Sequence, residues 1–268
     1  MHHGMVPQRI DVGGRSLCIH CSGSGKPTVV LEAGAGDNHT TWEVIQPAIS
    51  RFTLVCSYDR AGLGQSEPAP RPRTAHDLVD DLRRFIIAAH LPGPYVLVGH
   101  SLGGMLVRLY THQFPEDVVG VVLIDTPHPD QSRHFWAAVP DAVVHENKHV
   151  QQWLDLSHGI DPRDHPEGLD WAASQVQVGA AHTLGSKPLF VLTHRTPEHG
   201  LVFLDEQPDL PADVAWSLER VWQDLQVDLA RLSSNSTHII ARKSGHYIHR
   251  DEPELLIAAI RRVVERVA

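Results

Sequence analysis

Gly99-His100-Ser101-Leu102-Gly103-Gly104 decides the fold, because it places a serine at the tip of a sharp turn between two kinds of sequence. The apolar run Tyr95–Val98 before it predicts a strand, and the run Met105–Gln113 after it predicts a helix. Glycine is needed at 99 and 103, since side chains there would collide with the strand and helix packed beside the turn. A G-x-S-x-G pattern in this setting predicts a nucleophile elbow. The alternative is an ordinary glycine-rich turn with a buried serine.

Strand-like and helix-like segments alternate on both sides of this turn. Thr28–Glu32 is rich in β-branched residues, and Val118–Ile124 is a continuous apolar run, as in parallel strands covered on both faces. Thr74–His90 is the clearest helix, with Thr74 as its cap and Asp77 in the capping-box position. We therefore predict the α/β class: a mostly parallel sheet with helices on both faces.

The remaining elements are predicted with less marked patterns. Strands are expected at 9–12, 15–21, 52–57, 188–193 and 237–241, and helices at 41–49, 212–232 and 253–267.

Between residues 126 and 186 the alternation stops, and histidine, tryptophan, proline and aspartate accumulate. We interpret 126–186 as an inserted helical cap on a core domain made of 1–125 and 187–268. Aromatic side chains of the cap are candidates for lining an apolar substrate pocket, although they could equally pack the cap onto the core. These residues are Phe135, Trp136, Trp153 and Trp171.

Length, composition and charge limit the classes of function. The 268 residues suffice for one large α/β domain, and 42% hydrophobic with 21% charged residues is ordinary for a soluble globular protein. The formal net charge of −9 argues against nucleic acid or an anionic membrane as partner. We predict a small-molecule partner instead; the oligomeric state cannot be read from these features.

Cysteine usage and the terminus bear on the compartment. Cys18 and Cys21 form a lone C-x-x-C on a predicted strand, and Cys56 is the third cysteine. Without a second pair or a helix start, zinc and redox roles are weakly supported, so we expect buried thiols in a reducing compartment. Met1–Ile10 has no apolar core of signal-peptide length, and no run approaches membrane-spanning length. The expected location is cytoplasmic.

A serine hydroxyl needs a base to take its proton and a group to orient that base. The candidate base is His246, because it follows the last predicted strand and so lies at the carboxyl edge of the sheet, level with Ser101. His249 is the closest competitor. With 20 histidines in the chain, position rather than residue type carries this assignment.

The orienting acid has two possible positions. Asp125 ends the strand after the elbow, and the order Ser101, Asp125, His246 fits the order Ser…Asp…His of this architecture. The other position follows the next strand, where Glu198 is the nearest carboxylate and Asp205 lies further along. We favour Asp125 over Glu198.

Acyl transfer also needs hydrogen-bond donors for the developing oxyanion. The backbone amide of Leu102, directly after the serine, is one candidate, and the amide of Ala35 after the 28–32 strand is the other. The glycine-rich stretch 33–36 lacks the G-x-x-x-x-G-K-[ST] pattern of a phosphate loop. We predict a reaction that requires no metal or organic cofactor.

Taken together, the elbow, the turn Tyr58–Ser66 and the terminal Gly245-His246 resemble the α/β-hydrolase superfamily over nearly the whole chain. That resemblance implies an eight-stranded sheet, a cap over the site and a Ser–His–acid triad formed by Ser101, His246 and Asp125. The chain departs from the family pattern after the third strand, where the usual His-Gly is Ala33-Gly34.

Within the superfamily, many members place the acid after a later strand. A subset that includes serine-dependent macrolide esterases places it where Asp125 stands, and segments 124–130 and 244–248 resemble that group. The resemblance implies hydrolysis of a carboxylic ester or lactone through an acyl-enzyme. Alternatives are amide or carbon–carbon bond hydrolysis or perhydrolysis with the same triad, or a non-catalytic ligand binder on the same fold.

Overall fold

The computed structural model describes residues 8–267, which form a central sheet flanked by helices. The strands are β1 Gln8–Asp11, β2 Ser16–Ser22, β3 Thr28–Glu32, β4 Val55–Tyr58, β5 Tyr95–His100, β6 Val118–Ile124, β7 Leu189–Thr193 and β8 Ser236–Ile240. The helices are α1 Gln46–Ile49, α2 Ala75–Ala88, α3 Leu102–Gln113, α4 Gln131–Ala138, α5 Asp141–Glu146, α6 Lys148–Ser157, α7 Trp171–Gly179, α8 Val202–Glu206, α9 Ala212–Ala230, α10 Ile248–Asp251 and α11 Pro253–Val267.

The eight strands form one sheet in the order β1-β2-β4-β3-β5-β6-β7-β8. Strands β1, β2 and β4 pair antiparallel, and every pairing from β4 to β8 is parallel. Parallel strands need crossover connections, and right-handed crossovers place helices on both faces. The predicted fold class is confirmed.

Two apolar cores cover the two faces of the sheet. On one face α2 and α3 bury residues such as Phe85 and Met105 against β5 and β6, and on the other α1 and α11 bury Ile49 and Ile260. The backbone N–H of Thr74 donates to Asp77 Oδ2 at 2.7 Å, as the capping-box pattern predicts.

The cysteines differ from expectation. Cys21 and Cys56 lie directly opposite each other on the antiparallel strands β2 and β4 and are joined by a disulfide. Cys18 alone remains a buried thiol. The sequence could not reveal the pair, because the two partners are 35 residues apart and only the strand register brings them together. Since disulfides persist mainly in oxidising compartments, the cysteines do not support the expected reducing one.

The segment 126–186 carries four helices, α4–α7, and its helices pack in two directions. Helices α4, α5 and α6 share a third apolar cluster with α8 and α9. Helix α7 instead buries Val178 in the core beside α2 and α3. The division into a core domain and a cap at residues 126 and 186 stays a prediction.

Two predictions about location concern the chain's ends and its hydropathy. Most of Met1–Ile10, predicted to hold no signal peptide, lies outside the described residues. Within residues 8–267, none of the helices combines the length and hydropathy of a bilayer-spanning segment.

Candidate active site

Ser101 stands at the turn between β5 and α3 with φ 51° and ψ −123°, a strained conformation for a residue with a side chain. A Cβ at Gly99 would lie 2.4 Å from the Gly103 carbonyl oxygen, and one at Gly103 would lie 2.2 Å from the Glu32 carbonyl oxygen. The two glycines therefore let helix α3 begin in direct contact with β3 and β5. The strand–turn–helix expected from the motif is present.

His246 and Asp125 are joined by a hydrogen bond from His246 Nδ1 to Asp125 Oδ2, 2.7 Å long. Asp125 follows β6, is fully buried and has a positive φ of 43°, whereas His246 lies in the loop between β8 and α10. The His100 ring contacts the same loop, where its Nε2 lies 2.9 Å from the His246 carbonyl oxygen. Because a carbonyl only accepts, His100 Nε2 carries a hydrogen and helps to hold His246 in place.

Ser101, Asp125 and His246 line one cavity of about 190 Å³, here called the Ser101 cavity. Most of its other lining residues are apolar or aromatic. The remaining members are Pro127, Gln131, Trp171, His194, Val202, Phe203, Glu206 and Trp222. A larger depression of about 500 Å³ contains neither Ser101 nor His246, so its size does not make it the candidate site.

The alternative candidates for the acid and the base lie outside the Ser101 cavity. Glu198 is exposed in a short 3₁₀ turn, and Asp205 forms an exposed ion pair with Arg195. His249 is buried with its Nε2 2.9 Å from Thr41 Oγ1, and burial lowers its pKa to about 3. Only Asp125, of the carboxylates considered, contacts His246.

The Asp125 carboxylate accepts three hydrogen bonds besides the one from His246. The backbone N–H of His194 and the indole N–H of Trp222 each donate to its Oδ1 at 3.1 Å. The His194 ring contacts Oδ2 through Nδ1 at 2.8 Å. Burial alone would raise the pKa of Asp125, but the charge of His194 and the hydrogen bonds from His194 and His246 lower it well below its usual range. Asp125 is thus a carboxylate throughout the physiological range.

The pKa of His246 is raised. Burial would lower it, but the hydrogen bond that His246 donates to Asp125 and the charges of Asp125 and Glu206 outweigh that effect. An opposite charge beside an imidazole favours its protonated form. The site is therefore arranged to stabilise positive charge on His246.

The two predicted oxyanion donors belong to segments that meet. Leu102 is the first residue of α3, and its neighbour Gly103 contacts the backbone at the end of β3, where the loop with Ala35 begins. Neither amide donates a hydrogen bond to another residue in the 8–267 range. Their role in binding an oxyanion stays a prediction.

An ion-pair network holds the loop 33–36. Arg60 donates to the carbonyl oxygens of Ala33 and Gly34, at 2.7 and 2.5 Å. It also pairs with Glu32 and with Glu167, which itself accepts the Gly36 N–H at 3.0 Å. Arg60, Glu32 and Glu167 are all buried. The sequence did not indicate this network, because its members are up to 135 residues apart.

Of the four aromatic residues predicted to line the substrate pocket, the structure places one in the Ser101 cavity and three outside it. Trp171 lines the Ser101 cavity. Phe135, Trp136 and Trp153 do not; they belong to the apolar cluster that α4, α5 and α6 share with α8 and α9. Phe135 and Trp153 pack against Phe203 of α8, whereas Trp136 donates to the Leu154 carbonyl oxygen and lies beside His158. A role in substrate binding for these three stays a prediction.

The sequence reasoning missed several residues of the site. His194 and Trp222 contact Asp125, and Phe203 and Glu206 line the cavity. His194 directly follows β7, the position where a carboxylate was sought as the rival acid. Its place at a strand's carboxyl end was the one available signal.

A possible metal-ligand cluster lies apart from the Ser101 cavity. Donor atoms of Cys18, His20 and Asp59 fall within 4.8 Å of one another. The Asp59 carboxylate already accepts hydrogen bonds from the ring and backbone N–H of His39 and from the Gln65 N–H. These hydrogen bonds explain the position of Asp59 as one that holds the neighbouring loops together. None of the three residues of the cluster lines the Ser101 cavity.

Comparison with known proteins agrees with this architecture. A family profile described as the alpha/beta hydrolase fold matches residues 27–154. The chain therefore has the α/β-hydrolase fold. Its sequence is 29% identical over 243 residues to the uncharacterised protein YqjL of Bacillus subtilis (strain 168), a match spanning 90% of this chain and 85% of YqjL.

Solved structures share the fold of this chain. A thermophilic esterase from Thermogutta terrifontis superposes with a TM-score of 0.63 at 19% identity, covering 98% of this chain and 99% of that one. A meta-cleavage product hydrolase from Pseudomonas fluorescens IP01 superposes with a TM-score of 0.64 at 15% identity, covering 99% of each chain. At such identities these likenesses establish the fold alone.

Proposed function

We propose that this α/β-hydrolase cleaves a carboxylic ester or lactone through an acyl-enzyme, with Ser101 as nucleophile, His246 as base and Asp125 as orienting acid. The observation that carries the proposal is the convergence of these three residues, from the ends of β5, β6 and β8, on one cavity, with His246 bonded to Asp125 at 2.7 Å. A non-catalytic ligand binder would have no chemical reason to keep a strained serine beside such a pair.

The steps follow from the chemistry of the three groups. His246 Nε2 takes the proton of the Ser101 hydroxyl as the oxygen attacks the carbonyl carbon, and Asp125 stabilises the resulting imidazolium. The Ala35 and Leu102 amides donate to the oxyanion, each such donor being worth about 3 kcal/mol in the transition state. His246 then protonates the departing alkoxide and afterwards activates the water that releases the acid. No step requires a cofactor.

The cavity limits which part of the substrate is enclosed. At about 190 Å³ it is smaller than typical ligand pockets of roughly 300–1,000 Å³. Its aromatic lining favours a small apolar acyl or alcohol group, so a larger ester or a macrolactone would keep most of its surface outside the cavity.

Turnover of short-chain nitrophenyl esters tests the proposal. We expect hydrolysis by the wild-type protein, labelling of Ser101 by a fluorophosphonate, and loss of kcat by about 10⁴-fold or more in Ser101→Ala. Ser234→Ala is the matched control, because Ser234 is exposed and outside the cavity. Absence of both turnover and labelling in the wild-type protein would contradict the proposal. Turnover confined to an amide or a carbon–carbon substrate, or to acyl transfer to hydrogen peroxide, would leave the three residue roles in place and replace ester hydrolysis as the reaction.

A further inference from the structure

Two buried side chains, His194 and Glu219, extend from Asp125: His194 contacts Asp125, and Glu219 contacts the far side of the His194 ring. The acyl-transfer steps use neither. His194 follows β7, and Glu219 lies on α9. The His194 ring is also stacked on Trp222, with an interplanar angle of 13°. The ring is therefore fixed by contacts on its edges and on one face.

Both nitrogens of His194 face a carboxylate group. Nδ1 lies 2.8 Å from Asp125 Oδ2, and Nε2 contacts Glu219 Oε1. A neutral imidazole carries one N–H, so one of these contacts would lack a hydrogen unless the ring is doubly protonated or a carboxyl holds the proton. Glu219 Oε2 also accepts the Val202 N–H at 3.1 Å, so this second oxygen acts as an acceptor. The simplest consistent state is a His194 imidazolium between two carboxylates.

We propose that His194, held as an imidazolium by Glu219, is a positioning residue that orients Asp125 and restrains the basicity of His246. The proposal rests on the proposed function, because it assigns His246 as the base. His194 supplies two of the four donors to Asp125, one from its backbone and one from its ring. Without the ring, Asp125 Oδ2 would be held by His246 alone.

The charge of His194 acts on His246 through their shared partner. The sum over Asp125, His194 and Glu219 is −1, the same as for a lone aspartate, but a positive charge lies next to the oxygen that His246 contacts. The positive charge of His194 opposes protonation of His246. It therefore lowers the pKa of His246, whereas Asp125 raises it. His246 thus stays neutral, and able to accept the Ser101 proton, to lower pH than it would beside Asp125 alone.

Other titratable groups also face His246 from every neighbouring element. They are Asp125 after β6, His194 after β7, Glu206 on α8, His100 at the end of β5, and Tyr247 and His249 at α10. A test must therefore change His194 while leaving the others in place.

The double variant His194→Gln with Glu219→Gln makes that change. It removes one positive and one negative charge, so the cluster's net charge stays −1 and no buried carboxylate is left unpaired. We expect kcat for a nitrophenyl ester to fall about 10- to 100-fold through misplacement of Asp125, with KM little changed. We expect the acidic limb of the pH profile of kcat/KM to move up by about one pH unit, because His246 becomes more basic.

His238→Gln is the matched control. His238 is a partly buried histidine on β8 that contacts Thr193 Oγ1 at 2.7 Å and no carboxylate. We expect its kcat and its acidic limb to match the wild type. A folded double variant whose acidic limb stays in place, or moves to lower pH, would overturn the proposal, since a merely structural role lowers stability without moving the limb.

A measurement on the wild-type protein keeps the proposal testable if the double variant fails to fold. Nitrogen-15 NMR of labelled histidine at pH 8 should show one buried ring, assigned to His194, protonated on both nitrogens. A His194 ring with a single N–H at that pH would overturn the proposal. Absence of ester turnover would count against the proposed function, whereas the ring's protonation state can be read without any substrate.

Discussion

Backbone strain at single residues is concentrated in the candidate site. Within residues 8–267, the non-glycine residues with positive φ are His90, Ser101 and Asp125, and two of these line the Ser101 cavity. Such conformations cost about 1–3 kcal/mol each and persist only when the surroundings impose them. At Ser101 and Asp125 the strain aims two side chains into one space, which is a functional reason to retain it.

Asp125→Asn tests the assignment of the acid at this scale. We expect kcat to fall about 10³- to 10⁴-fold, because an amide cannot hold the His246 ring in the required tautomer or stabilise its charge. Steady-state kinetics on a nitrophenyl ester measures the effect. Glu198→Gln should leave kcat near the wild-type value, since Glu198 is exposed and makes no contact with His246. A near-normal kcat in Asp125→Asn with a large loss in Glu198→Gln would assign the orienting acid to the segment after β7.

At the scale of elements, the ends of β6 and β7 and the middle of α9 are joined by the buried charges of Asp125, His194 and Glu219. Breaking a buried ion pair by removing one partner typically costs about 3–5 kcal/mol. Burial would lower the pKa of His194, but the charge of Asp125 and the hydrogen bonds to both carboxylates raise it to about 10. We therefore expect the packing of α9 against the sheet edge to depend on pH.

The pH dependence of stability follows from that raised pKa. A histidine whose pKa is higher in the folded protein contributes fully below its unfolded pKa of about 6.5, and the contribution is lost as pH rises towards 10. We expect the free energy of unfolding, measured with urea, to fall by about 1–3 kcal/mol between pH 7 and pH 9. The His194→Gln and Glu219→Gln double variant should show a flatter dependence. Equal slopes in both proteins would exclude His194 as the source.

At the scale of the whole molecule, the segment 126–186 is joined to the loop that carries a candidate oxyanion donor. Glu167, in the segment 126–186, accepts hydrogen bonds from Arg60 Nε at 2.6 Å and from the Gly36 N–H at 3.0 Å. Arg60 in turn holds the carbonyls of Ala33 and Gly34. The position of the loop after β3 thus depends on a residue more than 130 positions later in the chain.

Glu167→Gln tests this connection. We expect a loss of about 3 kcal/mol in stability, because Arg60 loses a buried partner, together with a lower kcat as the loop 33–36 is released. Denaturation and ester kinetics on the same preparations measure the two effects. Asp161→Asn is the control, since its pair with Arg163 is exposed and solvent screens the attraction between the two charges. A stable Glu167→Gln protein with unchanged kcat would contradict the prediction.

Local patterns predicted much of the fold. The strands at 28–32 and 118–124 and the helix at 253–267 have the expected bounds, because a continuous apolar run or a strong helical period leaves few alternatives. Contacts between distant residues were not predictable. The Cys21–Cys56 pair, the buried Arg60 network and the Phe135 cluster depend on strand register and helix packing, for which the sequence has no local signal.

By itself, the sequence determined the order of strands and helices, the elbow at Ser101 and two candidate partners, Asp125 and His246, because these depend on short-range periodicity and on where strands end. Only the tertiary structure decided which carboxylate contacts His246, which aromatic residues line the cavity, and that His194 lies between Asp125 and Glu219. Those outcomes depend on distances between residues 25 to 121 positions apart, and such distances are set by packing of the complete sheet and its helices.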